Sequence, residues 1–253
     1  MKRIVLLMWL LVFGWSGVAS AAELRVAVAA NFLGTLQQLA ALYEEETGDR
    51  VTLSAGSSGA LYAQIVNGAP FDLFFSADAA RPAALVEEGL ADPASRFTYA
   101  LGVPVLWSDS VMDMGDPRAL LAGDSFRFLA LADPRNAPYG VAAQQILTAF
   151  DLWDALDRDR RLVRGQTITQ TYSQIASGAA ELGFVALAQV KDADGRIAGS
   201  HWIPPAELYD PITQDVVMLA RARNPDVARQ FLDWIRSERA TGIIEAAGYQ
   251  VSQ

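Results

Sequence analysis

The chain has 253 residues, with 20 Lys and Arg against 29 Asp and Glu, one histidine and no cysteine. A formal charge of −9 disfavours nucleic acid and anionic membrane surfaces as partners, since both repel a negative chain. The lack of cysteine excludes a disulfide framework, a thiolate metal site and a cysteine-borne lipid anchor, so stability must come from packing alone.

Lys2 and Arg3, an apolar run from Ile4 to Trp15, and the small residues Ala19-Ser20-Ala21 form the three parts of a cleaved secretory leader. Its apolar core of about 12 residues is shorter than the roughly 20 that span a bilayer. A free periplasmic protein is expected, and losing Lys2 and Arg3 makes it more acidic still.

From Glu23 onward short apolar runs alternate with helical periods, the pattern of a mostly parallel sheet covered by helices. "ELRVAVAA" predicts a strand; Phe32, Leu36, Leu39, Ala40 and Tyr43 then fall at helical spacing up to Gly48. "RVTLSA" predicts a second strand, followed by a helix that starts at Ser57-Ser58, buries Leu61, Ile65 and Val66, and stops at Asn67-Gly68. "FDLFFSA" is a third strand, and Ala79 to Gly89 a third helix. Two long apolar runs, Phe97 to Trp107 and Asp210 to Ala220, break the rhythm and suit crossings between two lobes. Between them the alternation restarts with "FRFLALAD", "APYGVAAQQILTAF", "RRLVRG", "TQTYSQIASGAA" and "LGFVALA". Asn224-Pro225-Asp226 then marks a helix start, with Val227, Phe231, Trp234 and Ile235 on its buried face.

Most chemistry is poorly served by these residues. A serine hydrolase needs G-x-S-x-G and a base, whereas the run here is Gly56-Ser57-Ser58-Gly59 and the only histidine, His201, sits in "GSHWIPP". One histidine and no cysteine leave only carboxylates as metal ligands, no D-x-D-x-D-G loop occurs, and "EEET" (Glu44 to Thr47) reads as a solvated helix end. Neither nucleotide fingerprint occurs, so no cofactor is expected.

What remains is one feature used four times, a helix N-terminus just past a strand: at Asn31, at Ser57 and Ser58, at Pro138-Tyr139-Gly140, and at Thr167-Ile168-Thr169. Such an end offers unpaired N–H groups and about half a positive charge, which attract an anion without any ammonium group. That suits a chain whose only lysines are Lys2 and Lys191. Each residue taken alone also has a plain structural role, Ser58 and Asn31 as helix caps and Tyr139 as an ordinary core or surface tyrosine.

At these residues the sequence resembles the periplasmic molybdate-binding proteins of ABC importers. "VAVAANFLGTLQQLA", "SAGSSGALYAQIVNGAPFDLFFSAD", "ADPRNAPYGVAAQQIL", "ASGAAELGFVALAQV" and "IIEAAGYQVSQ" carry the likeness over nearly the whole mature chain. The resemblance implies a type II periplasmic binding-protein fold of class α/β: two lobes, each a mixed sheet flanked by helices, joined by two crossing strands. It implies a leader over 1–22, lobe I over 23–101 and 219–253, and lobe II over 102–218. By its motifs the oxyanion is expected to meet Ala30 and Asn31, Ser58, Tyr139 and Ile168, with Ser57 and Gly140 as secondary candidates. The metal would enter only as the oxyanion, without direct protein ligands. Many members end a strand in "GIVY", whose tyrosine touches the oxyanion; here "GFVA" ends in Ala186, and the Tyr139 hydroxyl is expected to replace it from the opposite wall.

The implied function is high-affinity binding of molybdate, and of tungstate, by a non-enzymatic monomer that delivers the ion to an ABC permease. The alternatives are a receptor of the same fold for sulfate or phosphate and, more remotely, a periplasmic serine hydrolase.

Overall fold

Each alternating stretch builds its own sheet. The computed structural model describes residues 21–192 and 194–251, so the expected leader lies outside the described residues apart from Ala21 and Ala22. The first sheet contains β1 (Glu23–Ala29), β2 (Arg50–Gly56), β3 (Leu73–Phe75), β4 (Phe97–Gly102) and β10 (Ile212–Met218), in the order β2-β1-β3-β10-β4. The second contains β5 (Pro104–Ser108), β6 (Leu129–Ala132), β7 (Leu162–Gly165), β8 (Leu182–Ala186) and β9 (Ser200–Trp202), in the order β7-β6-β8-β5-β9. Both are mixed. In the first, β10 runs antiparallel to β3 and β4; in the second, β5 runs antiparallel to β8 and β9.

The helices are α1 (Leu33–Thr47), α2 (Ser58–Val66), α3 (Ala80–Glu87), α4 (Pro117–Ala122), α5 (Pro138–Ala149), α6 (Trp153–Arg158), α7 (Ile168–Ala176), α8 (Leu187–Val190), α9 (Pro225–Ile235) and α10 (Glu238–Ala246). α1 forms because Leu36, Leu39, Ala40 and Tyr43 recur on one face, and it ends where Gly48 turns left-handed (φ 78°) and donates to Glu44 O. That face packs with Phe231, Leu232 and Ile235 of α9 and Ile244 of α10 against the first sheet. The other face of this sheet is covered from α2 and α3 by Leu61, Ile65 and Leu85. The second sheet is covered likewise, by Ile146 and Leu147 of α5 on one side and Ile175 of α7 on the other. Truncating one of these buried side chains, as in Leu39→Ala, costs about 2–5 kcal/mol in lost transfer energy and cavity.

Four expectations need correction. Val66 is 44% exposed; at the end of α2 it has turned past the face that buries Leu61 and Ile65. Asn224 stands at the N-cap of α9, but its side chain donates to Glu23 O (3.4 Å) instead of capping the helix. Trp234 is only partly buried, because its indole N–H reaches out to Glu46 (2.8 Å). β10 pairs within the first sheet, so by sheet membership lobe I resumes at Ile212 rather than at 219. "ITQDVVMLA" reads as one strand, and nothing in its pattern says which sheet it joins.

The first crossing runs from β4 through Val103 into β5, and the return runs through Pro211 into β10. Where the lobes meet, the core changes character to a seam of small side chains: Ala29 and Ala77 from one lobe, and Ala132, Ala137 and Ala186 from the other, around Tyr139, Ile168 and Ile212. Small residues let the two backbones approach closely. The approach is direct, for Gly59 N–H donates to Asn136 O (3.0 Å) and the Thr169 hydroxyl to Ala30 O (3.4 Å) across the lobes.

Candidate ligand-binding site

The C-terminal ends of the central parallel strands face each other across this seam, where open α/β sheets bind ligands. The two lobes use one local plan. In lobe I, β1 and β2 end in register at Ala29 and Gly56 and lead into α1 and α2. In lobe II, β6 and β7 end in register at Ala132 and Gly165 and lead into α5 and α7. Even the next ladder bond repeats: Ala30 N–H donates to Gly56 O (2.9 Å), and Asp133 N–H to Gly165 O (2.8 Å).

A narrow gap, with a cavity volume of only about 10 Å3, lies between these ends, and every residue lining it is uncharged. Ala30, Asn31, Ser57, Ser58, Tyr139 and Ile168 are all on its wall. The backbone N–H groups of Asn31, Ser58, Tyr139 and Ile168 have no acceptor among the described residues. For the last three the reason is helix geometry, since Ser58, Tyr139 and Ile168 occupy the first turns of α2, α5 and α7. Pro138 at the start of α5 carries no N–H, so Tyr139 presents the first donor of that helix.

The side chains sort themselves by their bonds. Ser57, not Ser58, is the cap of α2, its oxygen accepting from Ala60 N–H (3.4 Å). Ser58, 1% exposed, accepts from Ala77 N–H (2.9 Å) and keeps its own proton to give. Asn31 is buried and does not cap α1, whose N-cap position is Phe32. Its amide Nδ2 turns inward, donating to Gln214 Oε1 (2.8 Å) and the Tyr249 hydroxyl (3.3 Å), so Asn31 faces the gap with its backbone donor. The Tyr249 hydroxyl in turn donates to Asn31 O (2.7 Å).

Two expected donors are committed elsewhere. Ala30 N–H is held by Gly56 O, because the β1–β2 ladder runs one residue past the strand end. Gly140 N–H is held by Ala137 O (2.9 Å). Gly140 serves packing instead, since a Cβ there would lie 2.1 Å from Ala132 O and push α5 off β6. His201, the hydrolase candidate, is exposed on edge strand β9, paired opposite Trp107, and neither serine bonds to it.

Sequence reasoning missed a buried polar cluster beneath the gap. Gln214, wholly buried in β10, accepts from Asn31 and from the Tyr99 hydroxyl (3.1 Å) and approaches the Tyr139 hydroxyl with Nε2 (3.5 Å). The signal was the polar run Thr213-Gln214-Asp215 inside a crossing strand whose other residues are apolar. Burial pushes the phenols of Tyr99, Tyr139 and Tyr249 up, so all three stay protonated and neutral at physiological pH. The acid nearest the strand ends, Asp133, is neutralised by Arg135 (2.6 Å), whose hydrogen bonds hold its carboxyl below the usual range.

Two lobes closed on a neutral, donor-lined gap define a solute-binding protein of the two-lobed, type II architecture. The family model described as bacterial extracellular solute-binding protein matches residues 24–250, and the chain belongs to that family. It is 44% identical to the molybdate-binding protein ModA of Azotobacter vinelandii over 91% of each chain. It is 43% identical to that of Rhodobacter capsulatus over 94% of this chain and 92% of the relative. The solved Azotobacter vinelandii periplasmic molybdate-binding protein superposes with a TM-score of 0.89 at 48% identity, covering 91% of this chain and all of that one.

Proposed function

We propose that this protein binds molybdate, and tungstate with it, in the periplasm and hands the ion to the permease of an ABC importer. The observation that carries the reading is the set of free N–H groups, two from each lobe, around one uncharged gap. A doubly charged tetrahedral oxyanion accepts hydrogen bonds and donates none, so it complements a wall that only donates. The donors are Asn31, Ser58, Tyr139 and Ile168 through their backbone N–H groups, with the Ser58 and Tyr139 hydroxyls. They replace the ion's water shell by dipoles already fixed by the helix ends, so little reorganisation accompanies binding. No charge of the protein need be matched to the ion, which leaves size to select among oxyanions of one shape.

The protein acts as a carrier without turnover, as a monomer and without a cofactor. The relatives named above, 43–44% identical and bearing molybdate in their names, support this cargo over sulfate or phosphate. The test is a calorimetric titration of the mature chain with molybdate, tungstate, sulfate and phosphate. Tight binding of the first two at neutral pH is expected; sulfate displacing molybdate at comparable concentration would sink the assignment.

A further inference from the structure

We propose that Gln214 is a positioning residue for ligand binding: it donates to the Tyr139 oxygen, so that the Tyr139 proton points into the gap, while its carbonyl holds Asn31 in the opposite lobe. The inference rests on the oxyanion reading of the gap.

Gln214 is wholly buried on the hinge strand β10, at a bulge between Gln214 and Asp215. A buried amide needs partners for both of its ends. Oε1 accepts from Asn31 Nδ2 (2.8 Å), and it is this bond that orients the amide; the Tyr99 hydroxyl, 3.1 Å from Oε1, shares its one proton with the nearer Ser76 O (3.0 Å). Nε2 therefore turns to the Tyr139 oxygen, at a long 3.5 Å. A phenol has one proton to give, and the Tyr139 proton has no acceptor among the described residues. Tyr139 lines the gap, and an oxyanion there supplies the missing acceptor.

Shape reinforces the polar accounting. Gly102, at the first crossing, has no side chain; a Cβ there would lie 2.4 Å from the Tyr139 oxygen and 2.8 Å from Gln214 Nε2. The space behind the phenol is filled, so Tyr139 cannot retreat toward the hinge. One amide thus fixes a donor residue of lobe II and one of lobe I, both from the strand about which the lobes join.

The alternative is that Gln214 merely satisfies Asn31 and Tyr99 inside a core. A double-mutant cycle separates the two, using calorimetric titration with sodium molybdate on the mature wild type, Gln214→Leu, Tyr139→Phe and the double variant. Each single change is expected to weaken binding by about tenfold, as for a lost hydrogen bond to a charged group. The double variant should be no weaker than about twofold beyond the worse single one, since both remove the same contact. Gln214→Leu binding as wild type does, or the two losses multiplying, overturns the inference.

Should Gln214→Leu not fold, Gln214→Glu keeps acceptors for Asn31 and Tyr99 but offers the Tyr139 proton a competing acceptor. Its loss of affinity should be larger in the wild-type background than in the Tyr139→Phe background; equal losses overturn the inference. Wild type failing to bind molybdate would defeat the functional reading itself and this inference with it. Wild-type binding with either contrary result would defeat this inference alone.

Discussion

The two halves of the gap use the same strand-to-helix plan but hold their donors in different ways. In lobe I, Asn31 and Ser58 are fixed by side-chain bonds to Gln214, Tyr249 and Ala77. In lobe II, the N–H groups of Tyr139 and Ile168 are fixed, as that of Ser58 also is, by the helices they begin, and the polar side chain beside them is Gln214, at the Tyr139 hydroxyl (3.5 Å). The lesson is that a backbone donor needs a rigid carrier, and either a polar network or a helix start can provide one. The two lobes should therefore fail differently when altered.

The largest expected effect is on lobe I. Ser58→Ala removes a hydroxyl donor and leaves Ala77 N–H without its acceptor, so molybdate affinity should fall by about 10–100-fold in a calorimetric titration. Next is Ile168→Pro, which breaks lobe II alone. Proline suits the first position of α7, and Thr167 before it is already extended (φ −135°, ψ 161°), so the helix start should survive. Affinity should fall by about tenfold through the one missing N–H, with helical circular dichroism unchanged. Binding as tight as wild type would remove Ile168 from the ligand's shell.

A smaller effect sharpens the contrast from the stability side. Asn31→Ala strips Gln214 and Tyr249 of a buried partner and should lower unfolding stability by about 1–3 kcal/mol in denaturant melts. No side-chain change at Ile168 has such polar partners to orphan.

The smallest effect concerns pH. Nothing on the wall of the gap titrates near neutrality, so affinity should stay level between about pH 6 and pH 8. Stability should instead fall at high pH. The buried phenols of Tyr99, Tyr139 and Tyr249 have raised pKa values, so above the ordinary value of 10.0 the unfolded chain releases protons that the folded one retains. Melting temperature should be flat up to that point and decline beyond it; a decline that begins near neutrality would contradict this.

Much of this arrangement was legible in the chain. Alternating strands and helices, the helix openings at Ser57-Ser58, Pro138 and Thr167, and both crossing runs are local patterns that the structure realises with small shifts. Short or weakly patterned elements were not read: α4, α6, α8, β9, and α10, where Thr241-Gly242 dilutes the apolar period. The sheet to which β10 belongs was not legible either, because strand pairing is set by distant partners. At the site, residue types pointed to Asn31, Ser58, Tyr139 and Ile168, but the sequence could not say which N–H groups stay free. Ala30 and Asn31 are adjacent, yet ladder register commits one donor and spares the other. Gln214 was invisible because its partners lie 183 and 115 residues away in Asn31 and Tyr99.

The central claim is that neutral donors from both lobes enclose one oxyanion. Its most direct test is a crystal structure of the mature protein grown with molybdate. The ion should sit between the lobes within hydrogen-bond distance of the N–H groups of Asn31, Ser58, Tyr139 and Ile168. Molybdate found on the outer surface, or held by arginine side chains, would contradict the account.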